Sequence, residues 1–580
     1  MPKTSWRKPV LLAMPAMLLA LAACSSGGSS DSNSASPSAS PSAAESASAS
    51  ASASASPAKD PWGPLPEKTT VNIFKVEPDG GPDFLALPEG ETITNNRYIK
   101  AIDEKFNLDV KFPIDVKGGA AGEEKGNLMI ASNDITDVMI VGYNQYLQMI
   151  DNGMLADLTQ SYNDYASPQM KEVLQTDGGK ALELATVDGK LYGIPTMGTV
   201  HNSDPLIWLR KDWLDKLGLQ PPKTVDDLVA ILKAFKDQDP DGDGKADTIG
   251  LPGVDKFAKT SADGAPAFYG YDAIFSAFKA YTGTWVKGSD GTVQYGSIQP
   301  QTKDALAKLN EMYQAGVIPK DFAIMKNEQA SEKVASNTAG AFFGPWWAGW
   351  DPLTSAIKND PKADWRAYSL LDTDGKSRSL QETPIGSIAV VKKGFKYPEA
   401  MIKMVNYGYQ VQLDDPAVAG GDPYQGLTMP NWQTLPVPLA LWRADSVILD
   451  HTGVVAASKG EELPKVGAAT LQNYKTQGGY WSKGLDWLRQ NPDSYGEPLS
   501  RVYGVDPIVE NDTEPVYSEY YGVTHTMEQK MTNLDKLEID SFIKIITGEK
   551  PLDYFDEFVS QWKKLGGDQI TKEVNEALEK

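Results

Sequence analysis

Histidine and cysteine are both nearly missing from this chain. Its 580 residues hold three histidines, His201, His451 and His525, and a single cysteine, Cys24. One thiol excludes an internal disulfide. The scarcity of histidine weighs against acid–base chemistry run by imidazole, although paired carboxylates can take that role. No Walker A loop, no His-Glu-x-x-His and no Gly-x-Ser-x-Gly occurs, which moves weight from enzyme toward binder. Basic residues are also outnumbered: 55 Lys and Arg face 77 Asp and Glu, for a formal net charge of -22. That balance argues against nucleic acid or an anionic lipid surface as partner. Beyond the first two dozen residues, no apolar stretch approaches the roughly 20 residues that a membrane-spanning helix needs.

What is present begins with a three-part leader. Lys3, Arg7 and Lys8 are followed by an apolar run from Val10 to Ala20, and Leu21-Ala22-Ala23-Cys24 closes it. Residues 1–23 therefore read as a secretory signal peptide. Small residues directly before a cysteine resemble the lipobox of bacterial lipoproteins, which implies that Cys24 is acylated and becomes the new N-terminus. Cleavage would take the net charge to -25. Residues 25–58 are Ser, Ala, Gly or Pro except for Asp31, Asn33 and Glu45. Such a segment buries no core and is expected to be disordered. As a flexible coil it spans roughly 30–35 Å. The lipidated cysteine and linker thus cover residues 24–60, and the folded part is expected outside the cell membrane, tethered by lipid alone.

The remaining chain is longer than one hydrophobic core normally supports, so at least two lobes are expected. TTVNIFKV (69–76), NLDVKF (107–112) and ITDVMIV (135–141) read as strands, with a helix from Asn96 to Phe106 between the first two. Strands alternating with helices imply an α/β fold. LIWLR (206–210) reads as a further strand, followed by a short helix ending at Gly218. Thr224, with Asp227 three residues on, reads as the N-cap of a helix carrying the stripe Leu228, Val229, Ile231, Leu232 and Phe235. A last amphipathic helix opens at Pro551 and Asp553 and ends at Gly566-Gly567. Its Tyr554, Phe555, Phe558, Val559, Trp562 and Leu565 form an expected core face.

Residues 239–247 read Asp-Pro-Asp-Gly-Asp-Gly-Lys-Ala-Asp. Asp239, Asp241, Asp243 and Asp247 offer four carboxylates. Gly244 supplies the turn, and Lys245 would offer its backbone carbonyl with its side chain pointing away. The spacing resembles the first nine positions of an EF-hand loop. Carboxylates packed this closely repel one another without a cation. Position twelve is Gly250 rather than a bidentate Glu, so the expectation is a structural Ca2+ that staples a loop, not a sensor.

Several segments in fixed order resemble one family, the extracellular solute-binding proteins. These are KDWLDKLGLQPPKTVDDLVAILKAFK (211–236), Tyr192-Gly193-Ile194-Pro195 at a first crossover, and ITDVMIVGYNQYLQMIDNGMLADLT (135–159). AGAFFGPWWAGW (339–350) resembles the Gly-Pro-Trp segment of maltose-binding protein, the acidic loop resembles that of alginate-binding proteins, and residues 542–580 resemble the tail of large lipoprotein sugar receptors of Gram-positive bacteria. The resemblance implies a two-lobed, type II periplasmic-binding-protein-like α/β fold with hinge strands between the lobes. It implies lobe 1 from 67–195 plus roughly 385–480, lobe 2 from 196–384 plus part of the C-terminal region, and a helical tail at 540–580. It further implies a monomeric receptor that captures an oligosaccharide and passes it to an ABC permease without catalysis.

Sugars present flat C–H faces and hydroxyl rings, so their sites combine aromatic platforms with a few placed polar groups. By position in the family pattern the candidates are Trp346, Asn144, Gln145 and Tyr269; Trp347 and Tyr143 stand beside them, and Trp208, on the strand after the first crossover, and His201, on its approach, complete the set. On an extended segment Trp346 and Trp347 would face opposite sides. Arg210 is expected to pair with a neighbouring acid. Trp432, Trp442, Tyr480 and Trp481 sit in candidate loops without a ranking. A peptide receptor of the same architecture stays open as an alternative. So does a lipid-anchored glycan-degrading enzyme with two carboxylates roughly 5–9.5 Å apart.

Overall fold

The computed structural model describes residues 59–79, 87–245, 248–261, 268–288, 290–412 and 432–579. The leader, Cys24 and the linker up to residue 58 lie outside the described residues, as does Asp247. Residues from Ala58 onward form one compact unit. Among the described residues no helix is long and apolar enough to cross a membrane.

The first sheet has five strands in the order Leu108–Lys117, Thr69–Glu77, Val138–Val141, Ile385–Val391, Gly193–Met197. The first three are parallel. Parallel neighbours require crossover helices, and Arg97–Phe106 and Gly119–Ala131 supply them. The former starts where the Asn96 side chain accepts from the Tyr98 and Ile99 amides, and stops at Asn107 in the left-handed conformation. It buries Tyr98, Ile99, Ile102 and Phe106. Ile385–Val391 enters late in the chain and runs antiparallel to both its neighbours. One continuous core covers this sheet, drawing on residues Leu65–Met197, Ile385–Tyr409 and Leu435–Ala444.

A second sheet has Leu206–Arg210 at its centre, antiparallel to Ala341–Gly344 and Trp365–Tyr368. The central strand is buried at every position because both faces are covered. Ile207 and Leu209 point into one core with Ala341 and Phe343. Leu206 and Trp208 point into another with Phe342 and Trp365. The period of two in a strand divides these side chains between layers. The core on the Ile207 side is closed by Met527–Val574, and the other by Val447 and Leu488–Ile508. Of residues 385–480, expected together in lobe 1, the stretches Ile385–Tyr409 and Leu435–Ala444 contribute to the first core while Val447 lies in the third.

The expected helix starts hold. Asp227 N–H donates to Thr224 Oγ1 at 3.2 Å and Thr224 N–H donates to Asp227 Oδ2 at 3.0 Å, a reciprocal cap. Leu228, Val229, Ile231, Leu232 and Phe235 are buried. Arg210 pairs with Asp212 and Asp360. One expectation fails at the C-terminus. Leu565 is 53% exposed, because the helix Tyr554–Trp562 passes into a π-helical turn, Lys563–Gly567, with Gly566 at φ 148°. The wider turn rotates Leu565 off the face that carries Phe555, Phe558 and Trp562. The chain then continues as the helix Asp568–Leu578.

Trp562 ties this tail to the second lobe. Its ring lies parallel to Tyr295 at 5.0 Å, fully buried. A Cβ on Gly567 would meet Trp562 Cε3 at 2.0 Å, so only glycine fits there. Removing a buried Trp side chain costs about 3–5 kcal/mol. Trp562→Ala is expected to lower the urea midpoint of the full chain by that amount of stability, read by circular dichroism. An unchanged midpoint would show that the tail does not close the core.

Candidate ligand-binding site

A cavity of about 320 Å3 opens at the carboxyl ends of Thr69–Glu77 and Val138–Val141. In open α/β sheets this is where ligands bind. Its apolar lining comes from Phe74, Val76, Met139 and Val141, and its polar lining from Glu123, Tyr143, Asn144, Gln145 and Ser387. The helix Gly119–Ala131 comes this close because Gly122 has no side chain: a Cβ there would meet Val76 Cγ1 at 2.5 Å. Tyr143, Asn144 and Gln145 open the helix Tyr143–Asp151. Tyr143 lies nearly parallel to Tyr146, 6.1 Å away. Burial, with Tyr520 nearby, raises its phenol above the ordinary value. Gln145 caps its own helix: Oε1 accepts from Gly142 N–H at 3.1 Å and Nε2 donates to Asn127 Oδ1 at 2.7 Å. Asn144 is exposed.

The structure thus brings Tyr143, Asn144 and Gln145 to one cavity, and it places the remaining candidates elsewhere. Trp346–Gly349 is a 3-10 turn, not the extended segment expected, so the two tryptophans do not alternate. Trp346 is 4% exposed, with the Arg501 guanidinium 4.5 Å from its ring centroid. Trp347 is partly exposed, and its Nε1 donates to Asn202 O at 3.0 Å. Phe268 stands edge-on to it at 4.8 Å, and Trp350, 43% exposed, lies 6.3 Å away. Trp208 is fully buried, with Nε1 donating to Pro345 O at 3.1 Å. Tyr269 is buried beside Phe342, and burial raises its phenol well above the ordinary value.

His201 lies in the crossover between the two sheets. Its Nδ1 is 2.7 Å from Asp204 Oδ2, and its backbone N–H donates to Gln381 Oε1 at 2.7 Å. Gln381 Nε2 in turn donates to Asp204 Oδ1 at 2.8 Å. All three residues are buried. The outgoing crossover also meets two later ones: Gly198 N–H donates to Pro384 O at 2.9 Å, and Val200 N–H to Ala444 O at 2.8 Å. His201 therefore joins the segments that link the cores.

In the acidic loop, carboxylate oxygens of Asp239, Asp241 and Asp243 lie within 4.8 Å of one another. Lys245 differs from expectation: its ammonium turns in to Asp243 at 2.6 Å, since it is a counter-charge within reach of the acidic group. That hydrogen bond holds the Asp243 carboxyl below its usual range, while burial and then the Asp239 hydrogen bond raise Asp241. Lys216 Nζ donates to Pro240 O at 2.9 Å, which ties the loop to the helix Lys211–Leu217. Clustered carboxylate oxygens form a ligand set suited to a hard cation.

The family model for bacterial extracellular solute-binding proteins matches residues 90–410, more than half of the chain. The chain belongs to that family. Two Bacillus subtilis (strain 168) proteins are similar over most of its length. The polygalacturonan/rhamnogalacturonan-binding protein YtcQ is 24% identical over 87% of this chain and 93% of its own. Lipoprotein LipO is 24% identical over 82% and 88%. An HMO-binding, ABC-transporter-associated solute-binding protein from Bifidobacterium longum infantis ATCC 15697 superposes with a TM-score of 0.54 at 17% identity. It covers 88% of this chain and 98% of that one. The alginate-binding protein AlgQ2, solved without calcium ion, gives a TM-score of 0.51 at 16% identity over 89% and 99%. These likenesses show the two-lobed type II fold, and the solute-binding protein is a binder rather than an enzyme.

Sequence reading missed Glu123, Ser387 and the exposed Trp350. Gly122 and Gly126, four apart on one helix face, were the available signal for a helix pressed against the sheet beside the cavity. Nothing local marks Ser387, which reaches the site because its strand pairs with Val138–Val141, about 250 positions away.

Between Phe74 and Val76, which line the cavity, Lys75 points to the other side of the sheet. It is fully buried, and its Nζ donates to Gln433 O at 2.8 Å and Leu435 O at 2.6 Å. Burial, only partly offset by Asp115 and Glu77, lowers its pKa from 10.5 to about 7. Below pH 7 both folded and unfolded chains carry this proton, and the fold bears the full desolvation cost. Between about 7 and 10.5 only the unfolded chain holds it, so stability rises with pH. The stability of the wild type relative to Lys75→Met is expected to climb across that window by on the order of a few kcal/mol. Urea titrations at stepped pH measure it, and a flat difference would contradict the buried ammonium.

Proposed function

We propose that this solute-binding protein is a lipid-anchored receptor that captures an oligosaccharide outside the cell and delivers it to an ABC importer. The observation that carries the reading is the pairing of two half-sites on different cores. One is the cavity with Tyr143, Asn144 and Ser387; the other is the aromatic group of Trp347, Trp350 and Phe268. Trp347 is hydrogen-bonded to the crossover at Asn202, and Ser387 lies three residues beyond Pro384, which accepts from that same crossover. A ligand that touches both would bias the hinge toward closure. The polysaccharides named for YtcQ support the class of solute, and the lipoprotein LipO supports the anchor at Cys24. In this reading the acidic loop holds a structural Ca2+ through Asp239, Asp241, Asp243 and the Lys245 carbonyl, with Asp247 completing the set. Displacing the Lys245 ammonium from Asp243 accompanies ion binding.

Two measurements test this. The full chain, purified in detergent, is melted against a panel of plant and microbial oligosaccharides, and each mixture is checked for cleavage. A ligand at a hundred times its dissociation constant adds about 2.7 kcal/mol to stability. Trp347→Ala is expected to weaken the binding sugar about tenfold or more, near 1.4 kcal/mol, while Trp346→Phe changes it less. Sugar cleavage, or shifts with peptides only, would overturn the reading. Separately, Ca2+ is expected to raise the melting temperature of the wild type and not that of Asp241→Asn. Equal shifts in both would remove the ion from this loop.

A further inference from the structure

Resting on the receptor reading above, we propose that the strand-end cavity accepts an uncharged sugar unit and turns away a uronate, with Glu123 as the residue that reads the charge. Thirteen residues line the cavity, and none is Lys, Arg or His. The lining holds a single carboxylate, Glu123, exposed and without a hydrogen bond or ion pair among the described residues. A uronate entering here meets a like charge and no cation to replace its lost water, and both effects oppose binding. A hydroxyl meets the reverse. A carboxylate accepts from sugar O–H groups in short, charge-assisted hydrogen bonds, while Phe74, Val76 and Met139 offer apolar surface to C–H faces.

Helix N-termini are another source of positive potential near the cavity, and one amide of each already donates to a side-chain oxygen. Gly142 N–H, at the start of Tyr143–Asp151, donates to Gln145 Oε1. Gly119 N–H, at the start of Gly119–Ala131, faces Asp79 Oδ2 at 3.5 Å, which adds negative charge on the same side. The guanidinium beside the aromatic group is committed too: Arg501 pairs with Asp450 at 2.8 Å and Glu497 at 3.1 Å, beneath Trp346. This preference differs from the ligand in YtcQ's name. At 24% identity, the local charge around the cavity decides more than the relative's name does.

The test uses matched pairs of oligosaccharides that differ only at C6. Oligogalacturonides, oligoglucuronides and oligomannuronides are each compared with the same oligomer after carboxyl reduction to the neutral sugar, by isothermal titration into the full chain in detergent. The expected result is at least a tenfold preference for the neutral member of whichever pair binds. Glu123→Gln is expected to narrow that preference several-fold while leaving the melting temperature unchanged, since the side chain is exposed. A uronate that binds as tightly as its neutral partner overturns the inference and leaves the receptor standing. A neutral preference that Glu123→Gln does not alter also overturns it, because the charge is then read elsewhere. If no pair binds and no sugar of the panel above raises the melting temperature, the glycan-receptor reading itself falls, and this inference with it; if another sugar of that panel binds, the same comparison is made between it and its C6-carboxylate counterpart, and equal binding of the two overturns the inference.

Discussion

Three separate stretches of chain run side by side between the cores, and the rest of the molecule hangs on how they are held. The outgoing crossover, 198–205, is bonded to the returning one at Gly198–Pro384 and His201–Gln381, and to a third at Val200–Ala444. The His201, Asp204 and Gln381 side chains satisfy one another inside this bundle. Buried polar groups are costly unless paired, and when fully paired they specify one arrangement. Gly198 sharpens the constraint, because a Cβ there would meet Thr383 O at 2.4 Å. The two crossovers can therefore lie in contact only at this register.

From that register the positions of the two proposed half-sites follow. Ile385–Val391 leaves the bundle directly into the middle of the first sheet, which brings Ser387 to the cavity beside Tyr143 and Asn144. In the other direction Leu206–Arg210 enters the second sheet, whose partner Ala341–Gly344 runs straight into the Trp346–Gly349 turn. Trp347 reaches back from that turn to Asn202 in the bundle. The crossover bundle and the proposed half-sites share backbone, so in the proposed reading a ligand contact is mechanically close to the segments that bend. Lobe closure of this kind needs only a few residues to change their backbone angles.

Local chemistry made much of this legible in the sequence. Thr224 announced a helix start because its side chain, with Asp227 three residues on, has one good use there, and the helix after Asn96 was legible from its apolar spacing. TTVNIFKV and LIWLR announced strands because nothing in them breaks a buried sheet. The cavity was half legible: Tyr143, Asn144 and Gln145 stand where the family pattern points, yet Gln145 spends its amide on Gly142 and Asn127. The aromatic candidates were harder. Trp208, Tyr269 and Trp346 share their residue type with Trp347, and only packing separates them. Arg501, from a segment more than 150 positions away, covers Trp346. Leu565 failed for a similar reason, since a π-turn is set by the fit of Gly566 and Gly567 against Lys530 and Trp562 rather than by helical periodicity.

The central claim is that sugar contacts on the two cores draw the lobes together about the crossover bundle. Small-angle X-ray scattering of the full chain in matched-out detergent, with and without a saturating neutral oligosaccharide identified by titration, tests it most directly. The account predicts a smaller radius of gyration in the bound state and a shift that Trp347→Ala diminishes at equal ligand concentration. An unchanged radius of gyration at demonstrated saturation would contradict it.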